Sequence, residues 1–372
     1  MSKRSIFEDV GEKSAPDIAP TAVRQPWRNG IFVWLMILAM LVAIMVLVGG
    51  ATRLTDSGLS ITEWAPVMGA LPPLSQADWD TAFAAYKETT EFKEQNHWMT
   101  LADFKPIFWW EWGHRQLGRL IGVVWAIGFL IFLIAGRIPD GWTGRLLLLG
   151  ALGGLQGALG WWMVASGLTG RLDVAPYRLA AHLGLAFLIF ALLLWYALRV
   201  RHDPVETLQR RRRRESSIMG FSGVVIALVF VQILSGALVA GLDAGRGHVD
   251  WPLMQGRFFP EEGLEMSPFW LNLFENPALA QFNHRIIAYL ILAVTVLFVL
   301  RCLRVAHRKV RAWGWRVGLV ILAQVVMGIV TVMHAAPLHL ALVHQALALV
   351  LVGALIHARF EAAYPSEQRI RE

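Results

Sequence analysis

Eight runs of apolar residues divide this 372-residue chain, at about 30–50, 109–135, 145–167, 177–199, 218–241, 282–301, 314–334 and 339–359. A hydrocarbon layer about 30 Å thick is crossed by about 20 residues of helix. Inside it every backbone N–H and C=O needs a partner, which a helix supplies from its own turns. Composition points the same way, with 56% hydrophobic and 16% charged residues, where soluble domains are about a quarter charged. The sequence predicts an all-α polytopic membrane protein of eight transmembrane helices. A net charge of +7 does not imply nucleic acid, because the basic residues lie between spans, where they set orientation. The lone cysteine, Cys302, excludes an internal disulfide and a paired-thiol centre. Lys3, Arg4 and Lys13 are mixed with Glu8, Asp9 and Glu12 ahead of a full-length span, which argues against a cleaved signal peptide.

Charge alternates along the connections. Basic residues gather at Lys3 to Arg28, at Arg137 and Arg145, at Arg199 to Arg214, at Arg301 to Arg316 and again at Arg359, Arg369 and Arg371. The loops at 53–106 and 242–281 are much poorer in them. Both termini and the arginine clusters are therefore expected in the cytoplasm and both long loops outside. The chain also repeats. Each half has a long outer loop after its first helix and then a helix carrying His-Arg, His114-Arg115 and His284-Arg285. The third helices share Gln156-Gly-Ala-Leu-Gly160 and Gln324-Val-Val-Met-Gly328, and the fourth carry His182 and His344. Four spans per half give both halves one orientation, so two parallel-repeat four-helix bundles are expected. The predicted divisions are a cytoplasmic tail at 1–29, an N-terminal half at 30–200, an arginine-rich linker at 201–217, a C-terminal half at 218–360 and a cytoplasmic tail at 361–372. The long loops mix turn formers with apolar residues, as in Thr52–Ser60 and Trp64–Pro73, and should pack over the bundle. An amphipathic helix within 75–100 should lie on the outer surface.

Four of the eleven histidines stand apart. His114, His182, His284 and His344 each lie within about two turns of the outer end of an even-numbered span, so each half holds two at one depth. Paired imidazoles on neighbouring helices suit a six-coordinate haem iron. Zinc would want further Cys or carboxylate ligands nearby. His202 and His307 read as solvated cytoplasmic residues, and His97, His248, His334, His339 and His357 as ordinary loop or helix-end residues. Arg115 and Arg285 would suit haem propionates or lipid headgroups. Glu111, one turn before His114, reads either as a salt bridge to Arg115 or as an acid–base or cation-stabilising carboxylate. Its counterpart Gln281 cannot do proton chemistry, which suggests a reaction in the first half and electron transfer in the second.

The chain resembles the haem A synthase family over all eight spans. The resemblance rests on Gly49–Ser60, Trp64–Pro73, Glu111-Trp-Gly-His-Arg115 and the four histidines. It implies oxidation of the C8 methyl of haem O to the formyl group of haem A for cytochrome oxidase. His284 and His344 would hold a haem b cofactor, His114 and His182 would bind the substrate haem, and Glu111 would be the essential carboxylate. The outer-loop cysteine pair of some bacterial members is missing, which matches the alphaproteobacterial and mitochondrial branch. A bis-histidine iron has no open position for oxygen, so water attack on a cationic methylene fits better, with Glu111 steadying the cation or taking a proton. The implied partners are haem O, a haem O synthase (a farnesyltransferase), an electron acceptor, membrane lipid and a homo-oligomer, in a bacterial inner membrane.

A di-haem cytochrome b exchanging electrons with quinone is the first rival. It calls for haems near both faces, whereas these histidines lie toward one. A transporter of parallel repeats is the second, and it calls for broken helices at the midplane. The topology is testable: a reporter after Arg214 should read as cytoplasmic and one near Gln76 as external, and an external signal at Arg214 would invert the orientation.

Overall fold

The computed structural model describes residues 26–168 and 170–366. The tails expected at 1–29 and 361–372 thus lie largely outside the described residues. Eight long helices correspond to the eight runs. They are α1 (Pro26–Leu54), α3 (Leu101–Ile134), α4 (Thr143–Gly167), α5 (Pro176–Val200), α7 (Ser216–Gly241), α9 (Pro277–Leu303), α10 (Arg308–Met333) and α11 (Leu338–Ala363). Three shorter helices are α2 (Gln76–Lys87) and α8 (Asn272–Glu275) in the long outer loops and α6 (Pro204–Arg212) in the arginine-rich linker. The linker is thus partly helical, with Asp203 accepting from the Val205 N–H and Pro204 opening the helix, a combination suited to a first turn.

In the N-terminal half α1 packs on α3 and α5, and α4 packs on α3 and α5. The C-terminal half repeats those contacts, with α7 on α9 and α11 and α10 on α9 and α11. Across the middle, α1 and α5 meet α7 and α11, and the largest buried cluster runs through this seam from Ile31 and Leu35 to Phe298 and Leu355. Close approach comes from small residues under large ones, as expected where lipid offers no hydrophobic drive. A methyl added at Gly128 would collide with Trp34, whose indole N–H donates to the Val124 carbonyl at 3.0 Å. Gly150 plays the same part beneath Trp125, which donates to the Leu146 carbonyl at 3.1 Å.

Polar ties close the seam at both ends. At the outer end Arg53 holds Asp56 of its own half at 2.9 Å and Asp243 of the other at 2.8 Å, with Asp173 at 3.6 Å. Asp56 and Asp243 follow the first helix of each half and are both left-handed, with φ of 49° and 48°, a conformation Asp tolerates better than most residues. Arg171 grips Glu275 through both carboxylate oxygens, at 2.8 and 3.3 Å. At the opposite end Arg199 donates across the seam to the Tyr364 hydroxyl, while Arg28 ties α1 to the His202 carbonyl after α5 and Arg359 ties α11 to the Met219 carbonyl of α7. His202 and His307 are not solvated as expected. His202 pairs with Glu206 at 3.0 Å and stacks on Phe360, and His307 pairs with Glu215 at 2.8 Å. The arginine-rich connections bring carboxylates with them, and those capture the imidazoles.

The span expected at 109–135 begins instead at Leu101, because Thr100 and Asp103 form a capping box that starts the helix two turns early. That extension carries an aromatic cap. α2, opened by a Ser75–Asp78 capping box, lays Trp79, Phe83 and Tyr86 against Phe104, Ile107 and Phe108. Glu91 is buried at its edge, accepting from the Tyr86 hydroxyl at 3.2 Å. Burial pushes the Glu91 carboxyl up to about 8, partly offset by that hydrogen bond, and raises the Tyr86 phenol as well. The folded cap therefore favours protonated Glu91. Its stabilisation is complete below the ordinary carboxylate range and is lost as pH rises through about 8. Hydrogen-exchange protection factors across 76–108, corrected for intrinsic exchange, should fall between about pH 5 and 8, and Glu91→Gln should flatten that fall; pH-independent protection in the wild type would refute the assignment.

Candidate functional site

Each of the four singled-out histidines lies over a glycine of the preceding span. A methyl added at Gly160, Gly236 or Gly328 would sit 3.0 Å from Cε1 of His182, His284 or His344 respectively. One added at Gly49 would sit 3.0 Å from Nε2 of His114. All four imidazoles are thus pressed against bare backbone of α1, α4, α7 and α10. His284 and His344 come together, with ring centroids 6.5 Å apart and planes at 71°. A metal–imidazole bond of about 2 Å on each side, with the ring centre beyond it, calls for about this separation. His114 and His182 are within electrostatic reach of one another.

Three of the four rings carry a glutamine. The Nε2 of Gln156 donates to the His182 carbonyl at 3.0 Å, that of Gln232 to the His284 carbonyl at 3.0 Å and that of Gln324 to the His344 carbonyl at 3.1 Å. The same amides approach the rings, at 3.1 Å from Nε2 of His284 and 3.4 Å from Nε2 of His344. Oε1 of all three glutamines is buried without a partner, as is Nδ1 of His284 and of His344. Orphaned polar atoms beside facing imidazoles fit a site that is completed by a bound metallo-macrocycle. Among the described residues no three His, Cys, Asp or Glu side chains gather as a metal centre, so the donor set does not suit the zinc rival. Gln232 and Gly236 went unremarked in the sequence, although Gln-x-x-x-Gly recurs there at the spacing of Gln156 and Gly160.

Glu111 is buried above this layer and its oxygens are fully engaged. Oε2 accepts from the Ser60 hydroxyl at 2.7 Å and the Ile61 N–H at 2.8 Å. Oε1 accepts from Arg115 Nη2 at 2.6 Å and Nε at 3.1 Å. Arg115 also donates to the carbonyls of Ile61 and Glu63, each at 2.9 Å. The expected salt bridge therefore exists, as part of a clamp on the first outer loop. The C-terminal half repeats it in neutral form. Gln281 donates to the His248 carbonyl at 2.9 Å, and Arg285 to those of His248 and Leu253 at 3.0 and 2.9 Å. Both arginines thus spend donors on loop carbonyls, a use the propionate expectation did not include. Below Arg115, Gln116 donates to the Ala70 carbonyl and Arg119 to those of Ala65 and Pro66, drawing 64–71 down along α3. His248 is buried against Glu262 at 2.9 Å, and His334 and His357 donate toward carbonyls of their own helices.

Together these features define an eight-span helical membrane protein with two histidine pairs near one face, each beneath a clamped outer loop. The chain belongs to the COX15-CtaA family of cytochrome oxidase assembly proteins, whose profile matches residues 32–356. It is 54% identical to a haem A synthase of Ruegeria pomeroyi, over 100% of this chain and 99% of that one. It is 53% identical to a haem A synthase of Dinoroseobacter shibae, over 99% and 98% of the two chains. It is 48% identical to one of Paracoccus denitrificans, over 100% and 99%.

The glycine seats can be tested directly. Gly236→Val should displace the His284 ring and cut the haem absorbance of purified protein several-fold. Gly122→Ala, where an added methyl meets nothing within 4 Å, should leave it at the wild-type level. Equal spectra would show that the ring does not depend on its seat.

Proposed function

We propose that this chain is a haem A synthase, oxidising the C8 methyl of haem O to the formyl group of haem A in a bacterial inner membrane, with both termini in the cytoplasm. The observation that carries this reading is the facing His284–His344 pair at 6.5 Å, set beside a second pair of histidines in the half that holds the buried Glu111. Full-length similarity to relatives named haem A synthase supports it. The N-terminal half at 30–200 and the C-terminal half at 218–360 are read as parallel repeats joined by the linker at 201–217, and their matching helix contacts support that.

His284 and His344 would hold haem b, and His114 and His182 would bind the substrate haem. A bound haem b supplies one-electron chemistry. Converting the methyl to a formyl group takes an oxygen atom from water and releases electrons and protons, so an electron acceptor is needed as partner. A haem O synthase of the farnesyltransferase type is the proposed source of substrate, and homo-oligomers are the proposed assembly.

Glu111 has about four lone-pair sites, and four donors meet them. In this arrangement its strongest contribution is fixed negative charge beside the substrate histidine. Such charge favours a cationic carbon in a low-dielectric site and demands no proton uptake. Arg115, Ser60 and Ile61 hold it in place, and the clamped loop keeps bulk water out.

Two sets of variants test the division of roles. His284→Ala or His344→Ala should remove the stable haem b spectrum and activity together, while His114→Ala or His182→Ala should keep most of the spectrum and stop product. Equal loss of haem b in all four would refute it. Glu111→Gln should retain haem b and accumulate haem O or its hydroxylated form, with a rate loss of about 10²-fold or more. Near-normal haem A output would leave Glu111 as a loop anchor only.

A further inference from the structure

We propose that Gln156, Gln232 and Gln324 are positioning residues for the haem-ligating imidazoles, and that Met45, standing where a fourth glutamine would be, makes His114 the ligand that releases. This rests on the haem reading above. The four histidine seats share one register. Gln156, Gln232 and Gln324 each precede their glycine by four residues, one turn deeper on the same face. Four residues before Gly49 stands Met45. It faces the same partner helix: a methyl added at Gly118, one turn below His114, would lie 3.4 Å from Met45 Cε. The thioether therefore occupies the level of the glutamine amides.

The chemical difference is large. A ligating imidazole normally donates its second N–H to an acceptor, which fixes the ring and strengthens it as a donor to the metal. Beside His182, His284 and His344 the glutamine amide nitrogen holds the histidine carbonyl and approaches a ring nitrogen, with Oε1 left unpaired next to it. A thioether is a weak acceptor and no donor. The rings respond, since His114 turns Nε2 toward its glycine where the other three turn Cε1. Both histidines of the cofactor pair are held, as a resident group requires. Of the substrate pair only His182 is held, as befits a site that must let its product go.

Full-length protein purified with its haem decides the matter. Haem release is followed by transfer to excess apo-globin, alongside the low-spin spectrum and the haem b midpoint potential. Gln232→Met keeps the side chain's volume and removes the amide. It should speed haem b release about fivefold, the worth of one net hydrogen bond, and move the midpoint potential away from its wild-type value. Gln324→Met is the second variant should the first fail to accumulate. Met45→Gln should slow release of haem O or haem A from the first site by a similar factor and lower turnover, with haem b release unchanged. Wild-type release and potential in the glutamine variants, or unchanged first-site release in Met45→Gln, would overturn the proposal. A wild-type protein that carries no haem at all would overturn the function itself.

Discussion

An imidazole buried in a bilayer must be held by a neighbouring helix, and here that neighbour is always the preceding span. The contact needs a glycine, because a side chain at Gly49, Gly160, Gly236 or Gly328 would meet the ring. It therefore sets how closely α1, α4, α7 and α10 approach the histidine helices. Where a glutamine lies one turn deeper, it satisfies a backbone carbonyl and reaches the ring in one stroke. Polar atoms left unpaired at this depth cost more than in water, so the orphaned Oε1 and Nδ1 atoms carry a cost in stability.

The long loops serve that layer. Arg53 draws Asp56 and Asp243 to one guanidinium, so the loops that leave α1 and α7 start from a common point. Each long loop is then pulled back over its own half, by Glu111 and Arg115 in one and by Gln281 and Arg285 in the other. The two clamps share geometry and differ in charge. Gln281 donates to a loop carbonyl where Glu111 accepts from a loop hydroxyl and N–H.

The aromatic cap of α2 on the start of α3 is confined to the first loop. Burial at the edge of its cluster raises the Glu91 carboxyl to about 8. The second loop is instead tied to the other half through Glu275 and Arg171.

Eight spans were legible in the sequence, because burial in lipid demands long apolar runs, and the four histidines stood out because ionisable residues within such runs are conspicuous. Glu111 stood out for the same reason. The Gln232–Gly236 seat was legible in principle, since its spacing matches Gln156–Gly160, but a glutamine in an apolar run carries no charge to draw notice. Other features were decided by packing alone. Nothing in the order of residues said that Ser60 and Ile61 would meet Glu111 across about fifty positions, that His202 and His307 would find carboxylates, or that Met45 would face the helix of His114. Apart from the local His202–Glu206 pair, those contacts join segments far apart in the chain. Local pattern determines which elements form and which face each presents; which partner completes each buried polar group is settled only when the helices close on one another.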